Sequence, residues 1–99
     1  MIAAKNQEGT KLTVALEGRI DTLTAPQLET ELAPLLGGVE ALVLDLTQVA
    51  YISSAGLRVL LSTHKKMLAA GGSLTISNAV PAVREVFDIT GFSDILTLV

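Results

Sequence analysis

The sequence predicts an α/β fold, a mixed β-sheet with its helices packed mainly on one face, in the order β-β-α-β-α-β-α-β. Segments in which every second residue is apolar predict strands, and segments with apolar residues every three or four positions predict helices. The chain has 99 residues, which is room for one hydrophobic core, and 49% of them are hydrophobic, enough to build it. We therefore expect one domain, residues 1–99.

Two strands open the chain. The first is expected near residues 2–6, and a turn at Gly9-Thr10 leads to residues 11–17, whose apolar side chains fall on one face: Leu12, Val14 and Leu16. So short a connection predicts an antiparallel hairpin, and the alternation with polar neighbours predicts that part of the sheet has one solvent-exposed face. Residues 18–21 are expected to leave the strand and lead to a helix.

The first helix is expected to begin at Thr24, which has capping-box spacing to Gln27, with Pro26 in the tolerated first turn. Pro34 has no N–H for the carbonyl of Thr30 and should kink the last turn. Leucines recur at helical spacing until two glycines end the run: Leu28, Leu32, Leu35 and Leu36, then Gly37-Gly38.

Strands and helices alternate in the rest of the chain, so these strands are expected to be parallel with right-handed crossovers. Residues 41–46 are apolar on both faces as far as Asp45, which predicts a central strand covered by other layers. Residues 73–77 predict a further strand, a helix capped by Asn78 is expected to end at Thr90-Gly91, and residues 95–99 form the last strand. The helix that starts near Ser54 should bury one stripe: Leu57, Leu60, Leu61, His64, Met67 and Leu68.

Composition argues against several functions. The formal net charge is −3 and the seven Lys and Arg are scattered, which argues against a nucleic-acid surface. With no cysteine and one histidine, neither a disulfide framework nor an all-protein zinc site is expected. The sequence contains no phosphate-binding glycine motif, no secretory signal and no apolar run of membrane-spanning length. We therefore expect a soluble, cytoplasmic protein with no cofactor, no nucleic-acid partner and no direct membrane insertion.

The candidate functional segment is Tyr51-Ile52-Ser53-Ser54-Ala55-Gly56-Leu57-Arg58, where a strand gives way to a helix. A helix start carries unpaired N–H groups and about half a positive charge, so a phosphate placed there is stabilised. Ser54 is also in the place of a plain N-cap, the interpretation that spacing alone favours. Gly56 costs about 1 kcal/mol relative to alanine inside a helix. Either a partner approaches its backbone closely, or this turn packs tightly on the sheet.

The sequence offers residues for two other kinds of site, a nucleophilic serine and a metal site. A nucleophilic serine needs a base, and His64 stands about 15 Å along the same helix from Ser54. His64 is instead expected to be packed and hydrogen-bonded. Asp45 is expected to end the central strand and Asp21 to end the run after the second strand, where they could hold a metal or tune a hydroxyl, or simply cap a loop or turn. Because no third ligand is evident, the metal site is the weaker interpretation, and we expect neither a metal nor an enzyme.

Three blocks of the sequence resemble STAS domains, specifically bacterial anti-sigma factor antagonists. Leu44-Asp45-Leu46-Thr47-Gln48-Val49-Ala50-Tyr51-Ile52-Ser53-Ser54-Ala55-Gly56-Leu57 resembles the central motif of that family. Leu16-Glu17-Gly18-Arg19-Ile20-Asp21-Thr22-Leu23-Thr24-Ala25-Pro26 is similar to its first block. Leu74-Thr75-Ile76-Ser77-Asn78 with Val83, and then Thr90-Gly91-Phe92, are similar to its C-terminal pattern.

This resemblance implies a phosphorylation switch. Family members bind an anti-sigma factor that is also a serine kinase, and they are inactivated when it phosphorylates one serine, which matches Ser54. A metal-dependent serine phosphatase reverses the reaction. Asp21 matches a family acid near that serine. The chain departs from the family at three positions. Ser53 stands where the family often has Asp, and it becomes a second candidate acceptor. Ala55 stands where Ser or Thr is common, and Arg58 could contact the phosphate or the partner.

The resemblance therefore implies this set of partner-binding residues: Asp21, Ser53, Ala55, Gly56 and Arg58. An alternative keeps the fold and changes the function, to a non-switching STAS scaffold subunit of a lipid-transporter or stress-signalling assembly. No residue pattern specifies an oligomeric state.

Overall fold

Five strands lie side by side in their chain order and form one sheet. The first two strands pair antiparallel, and every other neighbouring pair is parallel. The fold class and the order of the elements are therefore as predicted. The computed structural model describes residues 1–99, with strands β1 (Ile2–Glu8), β2 (Lys11–Ile20), β3 (Ala41–Ile52), β4 (Ser73–Ser77) and β5 (Thr97–Leu98), and helices α1 (Ala25–Leu32), α2 (Ser54–Ala69) and α3 (Pro81–Thr90).

The helices cover one face of the sheet, and the apolar core lies between them and that face. Eight buried strand residues alternate with less buried neighbours and point to this side: Leu12, Val14, Leu16, Leu42, Leu44, Leu46, Leu74 and Ile76. Their neighbours Thr13, Val43 and Thr75 point the other way and are only half-buried. The expectation that residues 41–46 are covered on both faces is therefore wrong. Val43 suits a strand through its β-branched side chain, and a single half-exposed valine needs no covering layer.

Strands β2 and β3 are longer than the sequence predicted. Residues 18–20 stay in the sheet, with Arg19 paired to Tyr51 and Ile20 to Ile52, so the expectation that they leave the strand is wrong. The register between the two strands shifts twice, and Gly18 adopts φ +91° beside one shift. Such bulges break the two-residue alternation by which a strand is recognised in sequence. The two strands end side by side as a result.

The structure corrects two of the predicted caps. The Thr24 hydroxyl does not cap α1; it accepts a hydrogen bond from the Asp21 N–H (2.8 Å) and donates to the Arg19 carbonyl (2.7 Å). Asn78 does not cap α3, whose cap position is Val80; it turns the chain at φ +58°. The disturbance at Pro34 is confirmed, because α1 ends at Leu32 and a 3-10 turn follows.

Helix α2 buries a stripe rotated from the predicted one. Leu57, Leu60 and Met67 are buried as expected, but Leu61 and His64 are half-buried and Leu68 is 56% exposed. Gly56, Val59 and Thr63 complete the stripe, and α1 packs against α2. The last strand shortens to two residues, because the N–H groups of Ile95 and Leu96 donate to the carbonyl of Phe92 in the 3-10 turn Phe92–Asp94. No helix is both long and apolar enough to cross a membrane.

Candidate functional site

The site is built where the loops after β2 and β3 meet. Ile20 and Ile52 are paired at the ends of these strands, and the N–H of Ser53 donates to the carbonyl of Ile20 (2.8 Å). Asp21 and Ser53, the residues that follow the pair, therefore start two adjoining loops. One loop leads into α1 and the other into α2, so the first turns of both helices lie at the same end of the sheet.

Ser53, not Ser54, is the N-cap of α2. Its backbone is extended (φ −96°, ψ 175°), and its Oγ accepts a hydrogen bond from the N–H of Gly56 at 3.3 Å. Ser54 is the first residue of the helix, its side chain is exposed, and its hydroxyl makes no hydrogen bond within the chain. The interpretation of Ser54 as the cap is therefore wrong. The neighbouring serine performs that role and leaves the Ser54 hydroxyl free.

We expect Ser53→Ala to lower the free energy of unfolding by about 1 kcal/mol, because the N–H of Gly56 loses its acceptor. Ser54→Ala is the matched control and should change it by less than about 0.5 kcal/mol, since no hydrogen bond is lost. Urea denaturation of both variants measures the difference. A larger loss for Ser54→Ala than for Ser53→Ala would contradict the assignment of the cap.

Gly56 lies beneath the first turn of α2, against the sheet. A Cβ at this position would stand 2.6 Å from Cγ2 of Ile20 and 2.8 Å from Cγ1 of Ile52. Of the two interpretations of this glycine, tight packing of the turn on the sheet is therefore correct. The missing side chain lets the start of α2 sit directly on the ends of β2 and β3, which fixes the position of Ser54.

The carboxylate of Asp21 organises the loop between β2 and α1. Its Oδ1 accepts hydrogen bonds from the N–H groups of Leu23 (3.0 Å) and Thr24 (3.1 Å) and from the Thr24 hydroxyl (3.2 Å). The pKa of Asp21 is lowered, most of all by the hydrogen bond from the Thr24 N–H, and desolvation opposes this shift. The Leu23 N–H, the Thr24 hydroxyl and the charge of Arg19 lower the pKa further. The turn-capping interpretation is thus confirmed. The loop presents Leu23, which is 87% exposed.

The lowered pKa of Asp21 gives stability a defined dependence on pH. The folded protein favours the ionised carboxylate of Asp21. Its contribution to the free energy of unfolding is therefore fully present above the unfolded pKa of about 3.9, and it is lost as the pH falls through the lower pKa of the folded state. Carbon-detected NMR titration should therefore place the Asp21 midpoint below about 3.9. Asp21→Asn should weaken the acid dependence of the unfolding free energy, as measured by urea denaturation at several pH values. A midpoint above the unfolded value would contradict this loop geometry.

Asp45 stabilises a bulge within β3, where the register with β2 shifts between Asp45 and Gln48. Its Oδ1 accepts from the hydroxyl and the N–H of Thr47 and, at 3.4 Å, from the side-chain amide of Asn78. The pKa of Asp45 is lowered by the Thr47 hydroxyl first, then by the Thr47 N–H, with desolvation opposing and Asn78 adding a smaller effect. Asp21 therefore caps a turn as predicted, but the expectation that Asp45 ends its strand and caps a turn is wrong, because β3 continues past it through the bulge to Ile52.

His64 differs from expectation in its bonding. It is half-buried on α2, but its Nδ1 is buried without a hydrogen-bond partner. The prediction of a packed histidine is confirmed, and the prediction that it is hydrogen-bonded is wrong for this atom.

A groove runs from the site between α1 and α2. Ala55 and Arg58 line one wall, Thr22, Ala25 and Pro26 line the other, and the groove encloses about 490 Å³. Arg58 is exposed and follows Ser54 by four residues, which is one helical turn. The structure thus brings Asp21, Ser53, Ala55 and Arg58 to one end of the molecule around Ser54, and it buries Gly56 beneath them. The groove and the exposed Leu23 were missed, because helical spacing does not show which helices are neighbours.

Comparisons with known proteins agree with one another. The family model described as the STAS domain matches residues 1–99. BtrV of Bordetella bronchiseptica, whose name assigns it provisionally to the anti-sigma factor antagonists, is 45% identical over 85 residues, which cover 85% of this chain and 73% of BtrV. The anti-sigma-B factor antagonist of Bacillus subtilis is 36% identical over 92 residues, 93% of this chain and 84% of that protein. The Bacillus cell fate determinant SpoIIAA in its phosphorylated form has the same fold, with a TM-score of 0.72 and 17% identity over 97% of this chain and 89% of SpoIIAA.

Proposed function

The chain belongs to the STAS domain family, and we propose that it is an anti-sigma factor antagonist that is switched off by phosphorylation of Ser54. Its antagonist relatives are regulatory binding proteins rather than enzymes, and it likewise acts by binding. The partner is an anti-sigma factor that is also a serine kinase, and a metal-dependent serine phosphatase restores the active form. Since sigma factors act on transcription, the protein works in the cytoplasm, with residues 1–99 as one STAS domain.

The free hydroxyl of Ser54 is the observation that carries this proposal. A kinase substrate must offer an accessible hydroxyl, and Ser54 is exposed and unbonded at the first position of a helix of 16 residues. The helix N-terminus stabilises the negative charge that phosphorylation adds, so the fold tolerates the modification. The half-buried hydroxyl of Ser53 is occupied by the N–H of Gly56. Phosphorylation of Ser53 would disrupt the cap, which favours Ser54 as the acceptor.

The phosphate would weaken the complex with the anti-sigma partner. It adds about 1.5 to 2 negative charges to the surface that faces the partner. In a desolvated interface a like-charge contact costs several kcal/mol, and each 1.4 kcal/mol is a tenfold loss of affinity. Ala55 and Arg58 would contact the partner directly. Asp21 would act by holding its loop, Ser53 by capping α2, and Gly56 by letting α2 sit close to the sheet.

Sigma-factor release tests the proposal. An anti-sigma factor kinase from the organism that carries this chain is mixed with its sigma factor, and the chain is added in the absence of ATP. We expect the chain to enter a complex with the kinase and to displace the sigma factor, as measured by size-exclusion chromatography. If the sigma factor stayed bound with every such kinase, the antagonist function would be wrong. A non-switching scaffold subunit would bind its partner equally well after Ser54→Asp, which distinguishes that alternative.

A further inference from the structure

Helix α2 carries an unusual distribution of charge. It holds three of the seven Lys and Arg of the chain, Arg58, Lys65 and Lys66, and no Asp or Glu, although the whole chain has a net charge of −3. All three side chains are exposed. Arg58, Ser62 and Lys65, at positions i, i+4 and i+7, lie along one line of the helix. We name these three residues the basic ridge. Exposed cations gathered on one helix of an acidic protein indicate a surface for an anionic partner.

Two shallow grooves flank the basic ridge. The first is the groove between α1 and α2, and the second, of about 440 Å³, is lined by Leu61, Lys66 and Ala69. The only carboxylate that lines either groove is Glu29, which lies 3.9 Å from Lys66. Arg58 and Lys65 form no ion pair within the chain. Two cations are therefore available to a partner, beside floors of small and apolar side chains.

We propose that the basic ridge and the groove between α1 and α2 are the docking surface for an acidic amphipathic helix of the anti-sigma partner. This rests on the proposed function and adds the chemistry of the contact. An amphipathic helix in a groove places its apolar side chains against the apolar lining, here Ala25, Pro26, Ala55 and Val59, and its charges at the rim. Positive charge at the rim selects carboxylates there and raises the rate of association. The positive N-terminal end of α2 adds to the same field.

The basic ridge also explains how a phosphate on Ser54 would be sensed. Residues four apart on a helix are neighbours, so a phosphate on Ser54 can pair with the guanidinium of Arg58. That pairing withdraws one cation of the ridge from the partner and places net negative charge at the mouth of the groove. The partner helix would therefore be released without a change in the fold.

Charge reversal tests the docking surface. Binding to the anti-sigma factor kinase is measured by calorimetry without ATP, at low and at high salt. We expect Arg58→Glu with Lys65→Glu to weaken binding about 30-fold or more at low salt, and to flatten its salt dependence. The matched control, Lys5→Glu with Lys11→Glu, makes the same change in net charge on the exposed residues of the β1–β2 hairpin and should stay within about twofold of the wild type. Glu29→Gln frees Lys66 and should strengthen binding about twofold.

The outcomes separate this inference from the proposed function. If the wild type neither binds the kinase nor accepts phosphate, the proposed function is wrong. If the wild type binds but the α2 double variant binds as well as the hairpin control, only the acidic-helix inference is wrong. The inference would also be overturned if the charge reversal on α2 weakened binding to anionic vesicles or duplex DNA more than it weakened binding to the kinase. Thermal melting checks the fold of each variant. If the glutamates prevent folding, the neutral pair Arg58→Gln with Lys65→Gln replaces them, and we expect it to weaken binding about fivefold.

Discussion

We expect Ser54→Asp to weaken binding of the anti-sigma partner about a hundredfold or more, because a like charge in a desolvated interface costs several kcal/mol. The substitution places a carboxylate at the first position of α2, on an exposed side chain beside the groove between α1 and α2. Negative charge is favourable at a helix N-terminus, so the variant should fold as the wild type does. Calorimetric titration with the anti-sigma factor kinase, without ATP, measures the loss.

Two neighbouring variants are the controls for Ser54→Asp. Ser54→Ala removes the hydroxyl without adding charge and should bind within about threefold of the wild type. Ser53→Asp adds the same charge one residue earlier, at the N-cap, where aspartate is as good a cap as serine. It should keep most of the affinity, because its carboxylate is occupied by the N–H of Gly56. Equal binding by Ser54→Asp and Ser54→Ala would show that the partner does not contact this hydroxyl.

We expect Gly56→Ala to lower the free energy of unfolding by about 2 kcal/mol, although alanine is the better helix former by about 1 kcal/mol. The new methyl group would stand 2.6 Å from Cγ2 of Ile20, 2.8 Å from Cγ1 of Ile52 and 3.0 Å from the Ile20 carbonyl oxygen. Both isoleucines are fully buried, so neither can move aside without disturbing the core. The clash therefore outweighs the gain in propensity, and the melting temperature should fall by about 8 °C or more.

Gly37→Ala is the matched control for Gly56→Ala. A Cβ at Gly37 meets no atom within 4 Å, and its backbone φ is not positive. The control should therefore change the free energy of unfolding by less than about 0.5 kcal/mol. Urea denaturation measures both variants. A more stable Gly56→Ala protein would show that this turn does not pack on the strand ends as described.

The sequence predicted the elements better than their ends. Alternation in residues 11–17 and helical spacing after Thr24 and Ser54 gave the right order of strands and helices, since burial on one face imposes these periods. The extension of β2 to Ile20 was missed because the bulges near Gly18 break the alternation. The Thr24 cap was wrong because an Asp21 N–H and an Arg19 carbonyl compete for the same hydroxyl.

The sequence located the candidate site, but it did not show which serine caps α2 and which one has a free hydroxyl. Two adjacent serines at a helix start predict one cap, and helix boundaries are uncertain by about one or two residues without coordinates. The backbone angles decide between them, since Ser53 is extended and Ser54 is helical. The groove beside Arg58 depends on α1 lying next to α2, a long-range contact that no local pattern contains.

Phosphate transfer tests the central claim most directly. The chain is incubated with the anti-sigma factor kinase and ATP, the modified residue is identified by mass spectrometry, and the affinity of the product for the kinase is measured. We expect one phosphate on Ser54, none on the Ser54→Ala variant, continued modification of Ser53→Ala, and an affinity reduced about a hundredfold or more. A phosphate on Ser53, or a product phosphorylated on Ser54 that still binds like the unmodified chain, would contradict the switch.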